Sequence, residues 1–247
     1  MTEMSITERQ KKILELLYEN EYITVSKLSE VTFTSESSIR RDLERLQKMN
    51  LLKRTHGGAS LIENTNKATP LDKRMTKNTV GKRKIAKKAE SLIRDGMTVM
   101  LDGSSTASFL VPYISKFKDI TLYTNNMKTA LSAISYGIKT HCIGGSSVNS
   151  SAVLSGEESY LAVMNICPDI LFFSSQSLSR DGIISDSTES ENYLRKLMIK
   201  NAQTTVFLCD CEKFSKKSTY ILASADDIDF LIFDEKFPSL KTKSTLI

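Results

Sequence analysis

Histidine is almost absent from this 247-residue chain, which holds two. Its four cysteines, Cys142, Cys167, Cys209 and Cys211, contain no CxxC spacing. That excludes a zinc site built on familiar Cys/His spacings, and no metal or cofactor is expected. Scattered thiols without a framework point to a reducing compartment, where most read as small core residues. Long apolar runs are also missing. None approaches the roughly 18 residues of a membrane-spanning helix, and the first residues lack a secretory-signal pattern. A soluble, cytoplasmic protein is expected. Neither sign of charge dominates: 34 Lys and Arg oppose 29 Asp and Glu, a net of +5. The placement of charge therefore matters more than its sum. There is no internal repeat or low-complexity segment. Apolar residues make up 40% of the chain, enough for one large core or two modest ones.

The N-terminal part is dense in helix signals. Thr7-Glu8-Arg9-Gln10 matches a capping box, and Ile13, Leu14, Leu16 and Leu17 form a helical stripe after it. Tyr22-Ile23-Thr24 reads as extended. Val25 to Val31 reads as a second helix with Leu28 facing inward. Ser35 is placed to cap a third helix running to about Met49. On that helix Ile39, Leu43 and Leu46 recur at i, i+4 and i+7 and face inward. Ser37, Arg41, Arg45 and Lys48 lie opposite, with Ser38 and Arg40 on the flanks. Leu51 to His56 reads as a strand, and Gly57-Gly58 permits a tight reversal. Three helices and a β-wing make a winged helix-turn-helix, whose third helix enters the DNA major groove. Ser37, Ser38, Arg40, Arg41 and Arg45 are the candidate DNA contacts of that helix. Lys53, Arg54, His56 and Gly57 are those of the wing. The arginines alone fit a solvated basic face equally well, and Glu36, Asp42 and Glu44 could neutralise them. The whole helix-helix-wing pattern selects double-stranded DNA as the partner.

The expected domains are a DNA-binding unit over 1–60, a linker over 61–76 and an α/β unit over 77–247. From Lys67 to Lys88 the chain is strongly basic, which fits a solvated helix face or a phosphate-tracking one. Beyond it, strands alternate with helices. Strands are expected at Met97–Leu101, Ile120–Tyr123, Lys139–Ile143, Ile170–Phe173, Thr205–Cys209 and Phe230–Phe233. Helices are expected from the first strand to Ile114, over Met127–Tyr136 and over Ser187–Ala202. That alternation implies a mostly parallel sheet with helices on both faces, binding ligands at the carboxyl ends of its strands. Those ends carry Asp102-Gly103-Ser104-Ser105-Thr106, then Thr124-Asn125-Asn126, then Gly144-Gly145-Ser146-Ser147, and Asp210 with Lys213 beyond it. Amides, hydroxyls and a lysine on one rim suit a phosphorylated polyol or sugar. Each turn alone fits simple helix capping as well.

The segment SIRRDLERLQKMNLLKRTHGGA, with LDGSST, TNN, IGG, ENYLRKLMI and LCDCEKF further on, resembles the DeoR family of bacterial transcriptional regulators over nearly the whole chain. The resemblance implies an effector domain similar to ribose-5-phosphate isomerase folds. It implies a repressor of carbohydrate-use genes, released from DNA by a phosphorylated intermediate. It also implies an effector site lined by Asp102, Gly103, Ser104, Ser105 and Thr106 and completed by Thr124, Asn125, Gly145, Glu191, Asp210 and Lys213. Two departures stand out. Phe33 replaces the family's Gly or Asn in the turn before the third helix, so a turn of different shape is expected. Ser174-Ser175-Gln176-Ser177 replaces a glycine-containing loop, so a narrower pocket is expected. Helix-turn-helix proteins usually bind two half-sites as dimers, and a homo-oligomer is expected. The alternative is a sugar-phosphate isomerase using Asp102, Glu191, Asp210 and Lys213 for proton transfer. A fused DNA-binding module favours sensing over turnover.

Overall fold

The computed structural model describes residues 7–20, 22–49, 51–55, 57–61, 71–148, 151–235, 240 and 242–247. The chain divides into two compact units, Met1–Asn64 and Thr65–Ile247.

The first unit runs α1 (Glu8–Asn20), β1 (Tyr22–Thr24), α2 (Val25–Thr32), α3 (Glu36–Lys48), β2 (Leu52–Thr55) and β3 (Gly58–Leu61). The capping box forms: the Thr7 amide donates to Gln10 Oε1 at 3.1 Å and the Gln10 amide to Thr7 Oγ1 at 3.3 Å. Ile13, Leu17, Leu28, Ile39, Leu43, Leu46 and Leu52 are completely buried together. At about 1.5–3 kcal/mol per large apolar side chain, this stripe-on-stripe packing holds the three helices. The strands form a small antiparallel sheet in the order β1-β3-β2. The paired glycines of the wing have separate reasons. Gly57 sits at φ 82°, in the left-handed region. A Cβ on Gly58 would stand 2.4 Å from the Ile23 carbonyl and 2.7 Å from the Tyr22 hydroxyl, so β1 could not pair this closely.

Two expectations for this unit change. The turn after α2 keeps the left-handed shape despite its side chain: Phe33 adopts φ 50°, ψ 40°. The Thr34 amide donates to the Ser29 carbonyl at 3.1 Å, and Ser29 Oγ donates to the Thr34 carbonyl at 2.6 Å. These bonds hold a conformation that costs an L-residue about 1–2 kcal/mol. The ring is 96% exposed, so packing does not oppose it. Ser35 occupies the N-cap position of α3 but makes no side-chain cap bond. Its hydroxyl turns instead to Ser37 Oγ and Ser38 Oγ, both at 3.1 Å.

The second unit begins with α4 (Leu71–Thr76) and α5 (Thr79–Ala89), so the last residues of the expected linker are helical. There follow β4 (Thr98–Leu101), α6 (Ser105–Ser108), α7 (Val111–Ile114), β5 (Thr121–Thr124), α8 (Met127–Ser135) and β6 (Lys139–Cys142). The chain continues through β7 (Ser146–Ser147), β8 (Leu154–Ser155), α9 (Glu157–Met164), β9 (Ile170–Phe173), β10 (Ser177–Leu178) and β11 (Ile183–Asp186). It ends with α10 (Glu189–Asn201), β12 (Thr205–Cys209), β13 (Tyr220–Ser224), β14 (Phe230–Phe233) and β15 (Thr245–Leu246). Seven strands form a sheet in the order β15-β14-β12-β9-β4-β5-β6, with every adjacent pair parallel.

Central strands alternate between two cores. Val99, Leu101, Ile170, Phe172, Val206 and Leu208 pack on one face with Ile85, Ala89, Leu110 and Ile114. Met100, Leu171, Phe173, Phe207 and Cys209 pack on the other with Val163, Leu194 and Met198. Burial on both faces explains why these strands read as continuous apolar runs. The helix expected up to Ile114 is two short helices, with Pro112 in the first turn of α7, where its missing N–H costs least. Helix α9 lacks a sequence signal because its apolar residues do not share a face: Val163 is buried while Leu161 and Met164 are exposed. The antiparallel sheet β10-β11-β13 lacks a sequence signal as well, because β10 is only two residues long and β11, four residues long, shows no apolar-polar alternation.

Candidate functional site

On the first unit, α3 presents a basic face, and each of its three acidic residues is paired. Asp42 is buried and turns to α1, accepting from Arg9 Nε at 2.5 Å and Gln10 Nε2 at 3.0 Å. Glu44 pairs with Lys48 at 3.4 Å, and Glu36 with Arg40 at 2.7 Å. Arg40 therefore carries its own counter-charge. Arg41 is exposed and reaches back only to the Ser37 carbonyl and Ser38 Oγ, both at 3.4 Å. Ser37 and Arg45 are exposed and Ser38 half-buried on the same helix. Lys53, Arg54 and Gly57 are exposed on the strand and turn of the wing. His56 lies outside the described residues.

On the second unit, the parallel sheet carries most of its polar rim at one set of strand ends. Asp102 follows β4 and is almost wholly buried. Its Oδ1 accepts from the Ser104 amide at 3.1 Å and its Oδ2 from the Ser174 amide at 3.3 Å, tying the ends of β4 and β9 together. Ser104 Oγ accepts the Ala107 amide at 3.1 Å and starts α6, so the Ser105 and Thr106 amides head that helix. Gly103 has no room for a side chain: a Cβ would meet Val153 Cγ1 at 2.5 Å.

Lys213, just beyond β12, crosses back to this turn. Its Nζ donates to Thr106 Oγ1 at 3.0 Å and to Ser174 Oγ at 2.7 Å, and stands 3.5 Å from Asp210 Oδ2. Ser174 Oγ accepts from Lys213 and donates to the Leu208 carbonyl at 2.5 Å. The serine loop thus supplies a side chain that holds the lysine.

Thr124, Asn125 and Gly145 lie at neighbouring strand ends, where they shape the rim. Thr124 Oγ1 accepts the Asn126 amide at 3.2 Å. Asn126 caps α8 with its Oδ1, and its Nδ2 donates to the Gly103 carbonyl at 3.3 Å. Asn125 Nδ2 donates to the Leu154 carbonyl at 2.7 Å, while its buried Oδ1 accepts no hydrogen bond. Gly145, at φ 123°, passes so close to Ser159 and Ser155 that a Cβ would overlap both.

Glu191 and Asp102 meet through Arg195, which lies in the ENYLRKLMI segment and is not among the expected site residues. Arg195, one helical turn after Glu191 on α10, is buried among carboxylates. Its Nε lies 2.9 Å from Asp102 Oδ2, its Nη1 2.9 Å from Asp186 Oδ2 and its Nη2 3.2 Å from Glu191 Oε2. Burial works against the guanidinium charge, but Asp186, Asp102 and Glu191 together hold it on. Burial also works against the Asp186 carboxylate. Arg195 and the Ser187 amide outweigh it and hold Asp186 below the ordinary range. For Glu191 burial wins over the pull of Arg195 and Arg74, and its carboxyl titrates above the usual value. The i,i+4 spacing of Glu191 and Arg195 was the available signal for this cluster. Nothing local to Asp186 announced it.

The basic segment before the sheet also holds a surprise. Lys82 is buried rather than solvated. Its Nζ donates to the Lys77 carbonyl at 2.6 Å and also to the Arg74 carbonyl. Burial, reinforced by the Lys213 charge, brings its pKa down to about 8.

A winged helix with an open arginine face, joined to a parallel α/β unit with a polar rim at its strand ends, defines a transcription regulator with a sensor domain. The chain belongs to the DeoR family: residues 9–65 match the DeoR-like helix-turn-helix domain and residues 77–235 the DeoR C terminal sensor domain. The HTH-type transcriptional regulator GolR of Listeria innocua is 34% identical, over 93% of this chain and 91% of that protein. The putative aga operon transcriptional repressor of Escherichia coli O157:H7 is 27% identical, over 94% of this chain and 88% of that protein. Among solved structures, ribose 5-phosphate isomerase A of Methanocaldococcus jannaschii aligns with a TM-score of 0.40 and 18% identity, covering 54% of this chain and 53% of that one. A likeness of that size says nothing of activity. Among the described residues, no helix is long and apolar enough to cross a membrane.

Proposed function

We propose that the chain is a cytoplasmic repressor of carbohydrate-metabolism genes that binds operator DNA as a homo-oligomer and leaves it when a phosphorylated sugar fills the sensor unit. Ser37, Ser38, Arg40, Arg41 and Arg45 meet the major groove, and Lys53, Arg54, His56 and Gly57 meet the backbone beside it. The effector phosphate sits against Lys213 and the Ser105 and Thr106 amides, with Asp102, Gly103, Ser104, Thr124, Asn125, Gly145, Glu191 and Asp210 forming the surround. The observation that carries this reading is Lys213 Nζ, fixed between Thr106 Oγ1 and Ser174 Oγ at the carboxyl end of the parallel sheet. A cation held beside helix-heading amides is a phosphate receptor.

Turnover is disfavoured by the same geometry. Asp102 and Glu191 are committed to Arg195, and neither is a free base for proton transfer at a sugar carbon. Release follows from linkage: an effector that prefers the conformation with weak DNA affinity must lower operator affinity on binding. The test is fluorescence anisotropy of the full chain on its own upstream promoter DNA, at fixed salt, titrated with sugar phosphates. Tight binding relieved by one of them is the expected result. Tight binding that every sugar phosphate leaves untouched would overturn the effector half of the proposal.

A further inference from the structure

Phe33 is 96% exposed, further out than any other large apolar side chain among the described residues; Leu131 follows at 68%. It also stands where a side chain is costly, in the left-handed turn between α2 and α3. That turn is braced on both sides of the ring. The Phe33 amide donates to the Glu30 carbonyl at 3.3 Å, and the Thr34 amide to the Ser29 carbonyl at 3.1 Å. Ser29 Oγ donates to the Thr34 carbonyl at 2.6 Å, and Thr34 Oγ1 to the Thr32 carbonyl at 3.0 Å. These bonds fix the backbone from which the ring projects, and its exposure shows that it projects away from the core of the unit.

The place of the ring in the fold gives it a partner. Ser35, two residues on, is the N-cap position of α3. Two Cα–Cα steps span at most about 7.6 Å. A recognition helix meets base edges with its N-terminal residues, so a side chain just ahead of that end stands at the mouth of the major groove. The neighbouring acids are compensated: Glu30 pairs with Lys27 at 2.8 Å and Glu36 with Arg40 at 2.7 Å. The ring has no donor for a phosphate. It offers apolar surface, and the apolar group that the major groove exposes is the thymine methyl. We propose that Phe33 is a specificity-determining residue of the DNA-binding unit, its ring packing on the C5 methyl of a thymine beside the first turn of α3. This rests on the reading that α3 enters the major groove. It adds an apolar base contact to the serines and arginines of that helix. It also gives the left-handed aromatic a reason, since the fold alone is better served by glycine at that position.

The test is a double-mutant cycle between protein and DNA. The full chain is titrated by fluorescence anisotropy on its own upstream promoter DNA and on probes in which one thymine at a time is replaced by deoxyuridine, which removes only the methyl group. Wild type is expected to lose about fourfold at a thymine of the half-site, the worth of one methyl group taken out of water. Phe33→Gly should bind the unmodified promoter more weakly by about fourfold or more, and lose nothing further on that replacement. Urea unfolding separates binding from folding: Phe33→Gly should unfold at no lower urea concentration than wild type, because glycine takes the left-handed turn freely. Should it lose structure, Phe33→Asn, which tolerates that turn, must show the same loss on DNA. Equal promoter affinity of wild type and Phe33→Gly overturns the proposal, and a loss in Arg41→Ala alongside it leaves the groove reading standing. Deoxyuridine penalties that are the same in wild type and Phe33→Gly also overturn it. So does a loss of affinity that follows a smaller mass in sedimentation, which would give the ring to a contact between copies. A wild type that does not bind its promoter overturns the operator reading, and the proposal with it.

Discussion

Arg195 Nε lies 2.9 Å from Asp102 Oδ2, with both side chains almost entirely withdrawn from solvent. The pair joins α10 to the end of β4. Asp186 and Glu191 occupy the remaining nitrogens of the same guanidinium. Removing it would leave three buried carboxylates without their common partner. Arg195→Met should therefore destabilise the folded chain by about 3–5 kcal/mol, read from denaturant unfolding at neutral pH. A loss below about 1 kcal/mol would show that the cluster is solvated in solution.

Glu191 gives a pH signature. Its folded pKa is raised by burial, so the stability it contributes is complete below the ordinary glutamate value of 4.5 and is lost as pH rises through the raised value. Glu191→Gln keeps an oxygen facing Arg195 but cannot ionise. Its stability should fall less than that of wild type between about pH 4.5 and about pH 7 in parallel urea titrations. Identical slopes for the two proteins would contradict the shift.

Lys82 should act at the other end of the scale. Its folded pKa is about 8 against 10.5 for an ordinary lysine. Across that window the unfolded chain still holds a proton that the folded chain has released, so stability rises with pH. Lys82→Met removes the titration and should flatten that rise relative to wild type. The comparison is unfolding free energy at about pH 7.5 and about pH 9.5, and an unchanged difference would place the ammonium in solvent.

The wing depends on Gly58. A methyl group there meets the Ile23 carbonyl, which belongs to backbone and cannot swing aside. Gly58→Ala should cost about 1–3 kcal/mol in the DNA-binding unit and separate β1 from β3. Faster amide exchange at Ile23 and Thr24 would register it, and native protection there would refute the steric argument.

Arg41 and Arg40 should behave differently on DNA although they are adjacent. Arg40 is paired with Glu36 at 2.7 Å, whereas Arg41 meets only a carbonyl and a hydroxyl at 3.4 Å. Arg41→Ala should weaken operator binding by about 1–3 kcal/mol if it meets a base, or reduce the log-log salt slope by about 0.9 if it meets a phosphate. Arg40→Ala should cost less, because Arg40 must give up its pair with Glu36 before it can contact DNA. Equal losses in anisotropy titrations across a salt series would reverse that ranking.

The first unit was legible because its signals are local. The capping box at Thr7 and Gln10, the Ile39, Leu43 and Leu46 stripe and the Gly57-Gly58 reversal each depend on residues within a turn or two. Phe33 departs from its expected turn shape because the penalty of its side chain is local, while the Ser29 and Thr34 bonds that overcome it close only when the turn has formed.

In the second unit six of the seven parallel strands, all but β15, and the polar residues that end them are legible in the sequence. Apolar runs bounded by turn residues specify such strands without knowledge of their neighbours. Which of those polar residues meet depends on the folded arrangement. Sheet order brings Lys213 to Thr106 and Ser174, and the packing of α10 brings Arg195 to Asp102. It also buries Lys82 in a segment that reads as solvated. Contacts between residues far apart in the chain follow from strand order and helix docking, and no periodicity within either partner encodes them.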